Sequence, residues 1–66
     1  MKKEYIFQII DEYGPIPFRD IFSVFEKHMT AESIYNSIKS LMDEGRVACV
    51  ASGRSPWDKY YKTTAI

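Results

Sequence analysis

Cysteine, glycine and long apolar runs are all scarce in this chain. Its 66 residues include one cysteine, Cys49, and three glycines. A single cysteine cannot form an internal disulfide, and no CxxC pair or Cys/His cluster offers a zinc site. The three scattered glycines do not form a glycine-rich phosphate-binding loop. We therefore expect no metal and no cofactor.

No apolar run approaches the roughly 18 residues that a membrane-spanning helix requires. The first segment, MKKEYIFQIIDEYG, carries acidic residues within its apolar stretch, unlike a signal peptide. These features, together with the single cysteine, predict a reduced, cytoplasmic protein with no membrane partner.

An excess of positive charge is also missing, because nine Lys and Arg balance nine Asp and Glu. Since Lys and Arg normally dominate affinity for nucleic acids, this balance weighs against such a function. The distribution is uneven, however. Residues 1–45 hold five basic and eight acidic side chains, whereas residues 46–66 hold four basic residues and one acid, Asp58. A basic C-terminal third is typical of a local contact with phosphates.

The sequence has little that suggests catalysis. His28 has no cysteine near it and is most simply a cation at the end of a helix, while Cys49 is expected to be a small buried hydrophobe. The acidic pairs Asp11-Glu12 and Asp43-Glu44 fall at helix ends, and a domain of this size has little room for a ligand pocket. We predict a protein that is not an enzyme and has no small-molecule substrate.

Three amphipathic helices are predicted at about residues 3–13, 17–28 and 30–44. In the first two, apolar residues recur at i, i+3, i+4 and i+7. The first face consists of Ile6, Ile9, Ile10 and Tyr13, and the second of Phe18, Ile21, Phe22 and Phe25. The third helix carries Ile34, Ile38 and Leu41 at helical spacing. Thr30 is its predicted N-cap, Met29 should turn inward, and Gly45 should form a left-handed C-cap.

Two strands should follow the helices, at about residues 46–51 and 58–64, because both segments are rich in β-forming residues. The Ser, Gly and Pro residues between them predict a hairpin whose loop is longer than two residues. Ile16, between two prolines, should be extended and pair with this hairpin. The chain therefore reads as one α+β domain, residues 1–66, in the order helix, short strand, helix, helix, strand, strand.

This order resembles the winged helix-turn-helix superfamily of DNA-binding proteins over nearly the whole chain. The most specific part is the spacing from Ile34 through Ile38 and Leu41 to Gly45-Arg46-Val47, which resembles a recognition helix and first wing strand. The segment Lys59 to Thr63, KYYKT, is similar to the residues that close the wing. The resemblance implies three helices and a C-terminal antiparallel wing of two or three strands. It also implies a small transcriptional regulator of the kind that prokaryotes, plasmids and phages encode.

The resemblance predicts that helix three enters the major groove of double-stranded DNA. Asn36 is suited to adenine, Lys39 to guanine or phosphate, and Glu32 to cytosine. Three short hydroxyl side chains of this segment would approach phosphates, and the first of them lies at the helix N-terminus, which favours an anion. They are Thr30, Ser33 and Ser40. The alternative is an ordinary solvated face, since such polar residues are expected there in any helix.

In the predicted wing, Arg54 stands at the loop tip and would enter the minor groove, while Lys59 and Lys62 would contact phosphates. Alternatively, Arg54 is simply solvated. Trp57 would either fold back on the sheet or project toward a sugar, a base or a partner.

A protein partner is the competing expectation. Tyr5 and Phe7 widen the first helix face beyond what a small core needs, so they either cover the edge of the core or, with Trp57, form a partner or dimer contact. One such module makes few phosphate contacts, so DNA binding would require a homodimer or a second DNA-bound protein. The rival function is a winged helix that binds a polymerase, repressor or other protein without contacting nucleic acid.

Overall fold

The computed structural model describes residues 2–64, and the side chains of residues 3–64. Within these residues the fold is α+β, with three helices and a three-stranded antiparallel sheet. The elements in chain order are α1 Lys2–Tyr13, β1 Ile16–Pro17, α2 Phe18–Phe25, α3 Ala31–Asp43, β2 Val47–Ala51, a 3₁₀ turn Pro56–Asp58 and β3 Tyr60–Thr63. The predicted element order is confirmed, and the 3₁₀ turn is an addition to it.

The second helix is shorter than predicted, since α2 ends at Phe25 rather than near residue 28. The backbone N–H groups of His28 and Met29 both donate to the Phe25 carbonyl, at 2.9 Å. These bonds close a tight turn that reverses the chain and buries Met29, as expected. Thr30 then caps α3, because its hydroxyl accepts the Ser33 N–H at 3.1 Å.

Gly45 ends the third helix in the left-handed conformation that the sequence predicts, with φ +75°. The Gly45 N–H donates to the Met42 carbonyl at 2.9 Å, and the Arg46 N–H donates to the Leu41 carbonyl at 2.9 Å. This pair of bonds is a Schellman motif, which satisfies carbonyls that a helix end leaves unpaired. The chain leaves α3 directly into β2.

The sheet has the order β1-β3-β2, so β3 lies in the middle. Ile16 pairs with Tyr61 in one ladder, and Val47 pairs with Thr63 in the other. A β-bulge interrupts the second ladder between Cys49 and Ala51. The expected pairing of the short strand at Ile16 with the hairpin is therefore confirmed.

The core lies between the helices and one face of the sheet. Among the side chains of residues 3–64, eleven apolar ones are buried there: Ile6, Ile10, Ile16, Phe18, Ile21, Met29, Ile34, Ile38, Leu41, Val47 and Tyr61. Each of the three α-helices and each of the three β-strands contributes at least one of them, whereas the 3₁₀ turn contributes none. Within the described residues, no helix combines the length and apolar content needed to cross a lipid bilayer.

Two predicted core residues are exposed instead. Tyr13 is 59% exposed because it lies in the last turn of α1, beyond Ile10, the last buried residue of that helix. Cys49 is exposed because the part of β2 after Val47 extends beyond the helices that cover the start of the strand. Alternation places Cys49 on the same face as Val47, but no helix covers that face so far along the strand.

Candidate nucleic-acid interface

The outward face of α3 is polar and open to solvent. Ile34, Ile38 and Leu41 have no exposed surface, so they fix the side of the helix that faces the core. The opposite side presents four exposed residues, Glu32, Asn36, Lys39 and Asp43. This stripe places two acids at its ends with an amide and a cation between them.

One flank of the stripe is a shallow concavity of about 450 Å³ between α3 and the start of α1. Its lining is mostly hydroxyl and amide groups, from Lys3, Thr30, Glu32, Ser33, Asn36, Ser37 and Ser40. Lys3 was missed by sequence reasoning, since only the packing of α1 against α3 brings it here. Its ammonium forms an ion pair with Glu44 and donates to the Ser40 hydroxyl at 3.5 Å.

The other flank is aromatic. The Lys39 ammonium lies 5.9 Å from the centroid of the Tyr35 ring, within the range of a cation–π contact. The Tyr35 ring in turn meets Phe18 of α2 edge-on, with centroids 6.1 Å apart. Lys39 therefore lies on the edge of the stripe that is nearer to α2.

Trp57 packs against α2 rather than on the sheet. Its ring centroid lies 5.1 Å from that of Phe18 and 5.3 Å from that of Phe22, and the residue remains 40% exposed. Neither predicted arrangement of Trp57 describes it fully. The indole joins the hairpin loop to the helical body and keeps one edge in solvent.

Polar contacts also attach the hairpin loop to α2. Arg19 of α2 forms an ion pair with Asp58, and the Phe18 N–H donates to the Lys59 carbonyl at 2.8 Å. Gly53 approaches Asp58 so closely that a Cβ at position 53 would lie 2.5 Å from the Asp58 Cβ. The loop therefore folds back over its own 3₁₀ turn, which leaves Arg54 exposed beside the close contact.

The basic residues in and next to the hairpin differ in whether a carboxylate neutralises their charge. Among the side chains that the structure describes, Arg54, Lys59 and Lys62 have no carboxylate partner within 4.0 Å. Arg46 contrasts with them, because its guanidinium binds both oxygens of Glu4, at 2.7 and 2.9 Å. It also lies 4.3 Å from the centroid of the Phe7 ring.

These ion pairs lower the pKa values of the carboxyl groups that take part in them. The hydrogen bond from Arg46 holds the pKa of Glu4 below its ordinary value. The hydrogen bond from Lys3, with a smaller contribution from Arg46, lowers the pKa of Glu44 in the same way. Arg46 is thus neutralised locally, although it lies in the basic C-terminal third of the chain, and Lys3 is neutralised by Glu44.

The three residues expected to meet a protein partner are not equivalent. Phe7 is partly buried beneath Arg46, so it covers the edge of the core. Tyr5 is 58% exposed. With Phe25, His28 and Met29 it lines a mostly apolar cavity of about 250 Å³, whose lining does not include Trp57.

Within the described part of the chain, no group of three or more His, Cys, Asp and Glu side chains is arranged to hold a metal ion. Comparison of the chain with protein-family models, with curated proteins and with solved structures found no match.

Proposed function

We propose that this protein is a winged helix-turn-helix transcriptional regulator that binds double-stranded DNA in a sequence-specific manner. In this arrangement α3 is the recognition helix and the β2–β3 hairpin is the wing. The element order and the antiparallel pairing of β1 with β3 support the proposal, since a short strand before α2 that joins the hairpin fits the winged-helix topology.

The observation that carries the proposal is the exposed polar stripe of α3, in a chain whose hairpin has three cations without a carboxylate partner among the described side chains. Asn36 and Lys39 lie in the middle of the stripe, where side chains of a docked helix reach base edges. An Asn amide can bond adenine bidentately, and Glu32 can accept from cytosine. Thr30, Ser33 and Ser40 line the concavity between α3 and the start of α1, where short hydroxyl groups suit phosphate oxygens.

The hairpin supplies the second part of the interface. Arg54 at the exposed loop would enter the minor groove, and Lys59 and Lys62 on the return segment would meet phosphates. Because Arg46 is bound to Glu4, it adds nothing to this surface. A single chain therefore makes few phosphate contacts, and useful affinity needs a second DNA-bound copy or protein.

Fluorescence anisotropy with a labelled duplex of random sequence at low salt tests this function. Wild type should bind with log K falling linearly as log salt rises. The Lys39→Ala/Arg54→Ala variant should bind more weakly, and its salt slope should be smaller by about two. Lys27→Ala removes one cation from the turn after α2 and should leave both quantities close to wild type. Wild-type binding that matches the double variant and ignores salt would reject the proposal.

A second candidate is a winged-helix module that binds a protein partner. The apolar cavity beside Tyr5 and the zero net charge favour it. Pull-down from host extract with and without nuclease separates the two functions. A partner that survives nuclease, is lost in Tyr5→Asp or Trp57→Ala and is retained in Arg54→Ala would favour this candidate over DNA binding.

A further inference from the structure

Asp58 is the one acid among residues 46–66, and it contacts both α2 and the hairpin loop. One carboxylate oxygen, Oδ1, forms the ion pair with Arg19 of α2. The other oxygen, Oδ2, accepts a hydrogen bond from the Ser55 hydroxyl at 3.5 Å. The backbone N–H of Asp58 also donates to the Ser55 carbonyl at 3.0 Å. Asp58 therefore joins the loop to the helical body.

Arg54 stands between two residues that both lie against Asp58. Ser55, which follows it, is held by the two hydrogen bonds. Gly53, which precedes it, passes so close that an added Cβ would lie 2.5 Å from the Asp58 Cβ and 3.3 Å from Oδ2. A side chain at position 53 therefore does not fit while the loop keeps this shape. Asp58 thus constrains the backbone on both sides of Arg54.

The neighbours of Asp58 in the chain are attached to α2 as well. The Trp57 ring packs on Phe18 and Phe22, and the Lys59 carbonyl accepts the Phe18 N–H at 2.8 Å. These contacts hold Asp58 at a defined place on the helical body. Arg54 is exposed and forms no ion pair with the described carboxylates, so its backbone is ordered while its guanidinium remains available.

We propose that Asp58 is a positioning residue for Arg54, because it holds the hairpin loop in the shape that presents the Arg54 guanidinium to the minor groove. This inference rests on the DNA-binding function proposed above. Immobilising a long side chain at the moment of binding weakens affinity by about two- to twelvefold. A loop that is ordered before DNA arrives avoids this loss.

A different role for Asp58 predicts a different result. An acid that merely lies near the interface acts through its charge, so its removal strengthens binding to phosphates whether or not Arg54 is present. A positioning residue instead makes the contribution of Arg54 depend on Asp58. The effect of Arg54→Ala in two backgrounds separates these roles, because the charge effect of Asp58 is common to both members of each pair.

Fluorescence anisotropy with a labelled duplex at low salt measures this dependence. Arg54→Ala should weaken binding by a smaller factor in the Asp58→Asn background than in wild type. The factor lost on Lys39→Ala should be the same in both backgrounds, since Lys39 lies on α3. Equal losses from Arg54→Ala in the two backgrounds would overturn the proposal. An equal reduction of the Arg54 and Lys39 effects would also overturn it, since it would indicate a general change of the fold.

Two further variants control for charge. Asp20→Asn removes the same charge from an exposed residue next to Arg19, and no ion pair among the described side chains includes Asp20. It should leave the Arg54→Ala loss as it is in wild type. Gly53→Ala changes no charge but places a Cβ against Asp58, so it should reduce the Arg54→Ala loss as Asp58→Asn does. If Asp58→Asn loses its far-UV circular dichroism, Gly53→Ala takes its place.

Backbone ¹⁵N relaxation tests the ordering of the loop without DNA. The amides of residues 53–55 should have order parameters of about 0.85 in wild type and in Asp20→Asn, and below about 0.6 in Asp58→Asn. Order parameters that do not change in Asp58→Asn would overturn the proposal. A loop that Asp58→Asn releases, in a chain that binds no duplex, would reject the DNA-binding function and uphold the ordering of the loop by Asp58.

Discussion

Arg46 and Arg54 show how the surroundings of a side chain decide what a cation can do. Both stand in the basic C-terminal third of the chain. The Arg46 guanidinium lies over the Phe7 ring and forms an ion pair with Glu4, so it connects α1 to the start of β2. Arg54 stands in an exposed loop and has no carboxylate partner within the described residues. Residue type alone does not separate these two roles.

The first residue-scale prediction concerns acid. The pKa values of Glu4 and Glu44 lie below the ordinary 4.5, chiefly through hydrogen bonds from Arg46 and Lys3. The ion pairs therefore stabilise the fold fully above about pH 4.5, and this contribution disappears as the pH falls through the lowered values. Arg46→Met should melt at a lower temperature than wild type at pH 7. The difference in melting temperature between this variant and wild type should become smaller when the pH is well below the lowered pKa values.

The matched control is Arg54→Met, which removes a guanidinium from the exposed loop. Thermal melts followed by circular dichroism should show the same pH dependence for Arg54→Met as for wild type. If the melting temperatures of Arg46→Met and wild type differ as much in strong acid as at pH 7, the role of these ion pairs is contradicted.

The second residue-scale prediction concerns Tyr61, the buried tyrosine of the central strand. Burial raises its pKa to about 12 from the ordinary 10.0. Its neutral form therefore stabilises the fold below pH 10, and that contribution is lost as the pH rises toward 12. An alkaline titration followed by tyrosinate absorbance should show a late step that Tyr61→Phe lacks. The step should instead remain in Tyr60→Phe, since Tyr60 is exposed on the opposite face of β3.

At the scale of the elements, caps and turns decide where each helix ends. Thr30 and Gly45 bracket α3 with a side-chain bond at one end and a left-handed residue at the other. α2 lacks such a stop signal and ends where a tight turn buries Met29. The bounds of α3 were therefore predicted more accurately than the end of α2.

Gly45→Ala tests the C-cap of α3. A Cβ at position 45 would meet nothing within 4 Å, so the cost comes from the positive φ alone. We expect a loss of about 1–2 kcal/mol in the free energy of unfolding, measured by urea denaturation. Gly45→Asn should lose less, because Asn tolerates this conformation better. An alanine variant as stable as wild type would mean that the helix end can relax to another conformation.

At the scale of the whole molecule, the core is small, with eleven buried apolar side chains in the described part of a 66-residue chain. Stabilities of about 0.05–0.15 kcal/mol per residue leave such a domain with only several kcal/mol in total. A single large cavity therefore removes a substantial part of the stability. The fold therefore depends on each of these buried side chains.

Ile38→Ala tests this dependence, since Ile38 is fully buried in the middle of α3. We expect a loss of about 2–5 kcal/mol, against about 0.5–1.5 kcal/mol for the conservative Ile38→Val. Urea denaturation of both variants measures the two values. Equal effects of the two substitutions would indicate that the core collapses to fill the cavity.

The sequence predicted the centres of the helices and strands well because their periodicity follows from local geometry. It did less well at Tyr13 and Cys49, which share a face with core residues but extend beyond the elements that cover it. Within the candidate interface it predicted the exposed residues of α3. It missed Lys3 and the pairing of Arg46 with Glu4, which join residues about forty positions apart.

The amino-acid sequence by itself determined the element order, the inward faces of the helices and the cap residues of α3. Backbone propensity, side-chain spacing and positive φ act over a few neighbouring residues, so they can be read locally. Only the tertiary structure decided which cations are neutralised, where Trp57 packs and which residues of the helix and strand faces stay exposed. These features depend on contacts between segments that are far apart in the chain, and the local sequence pattern does not determine which distant residue a side chain will contact.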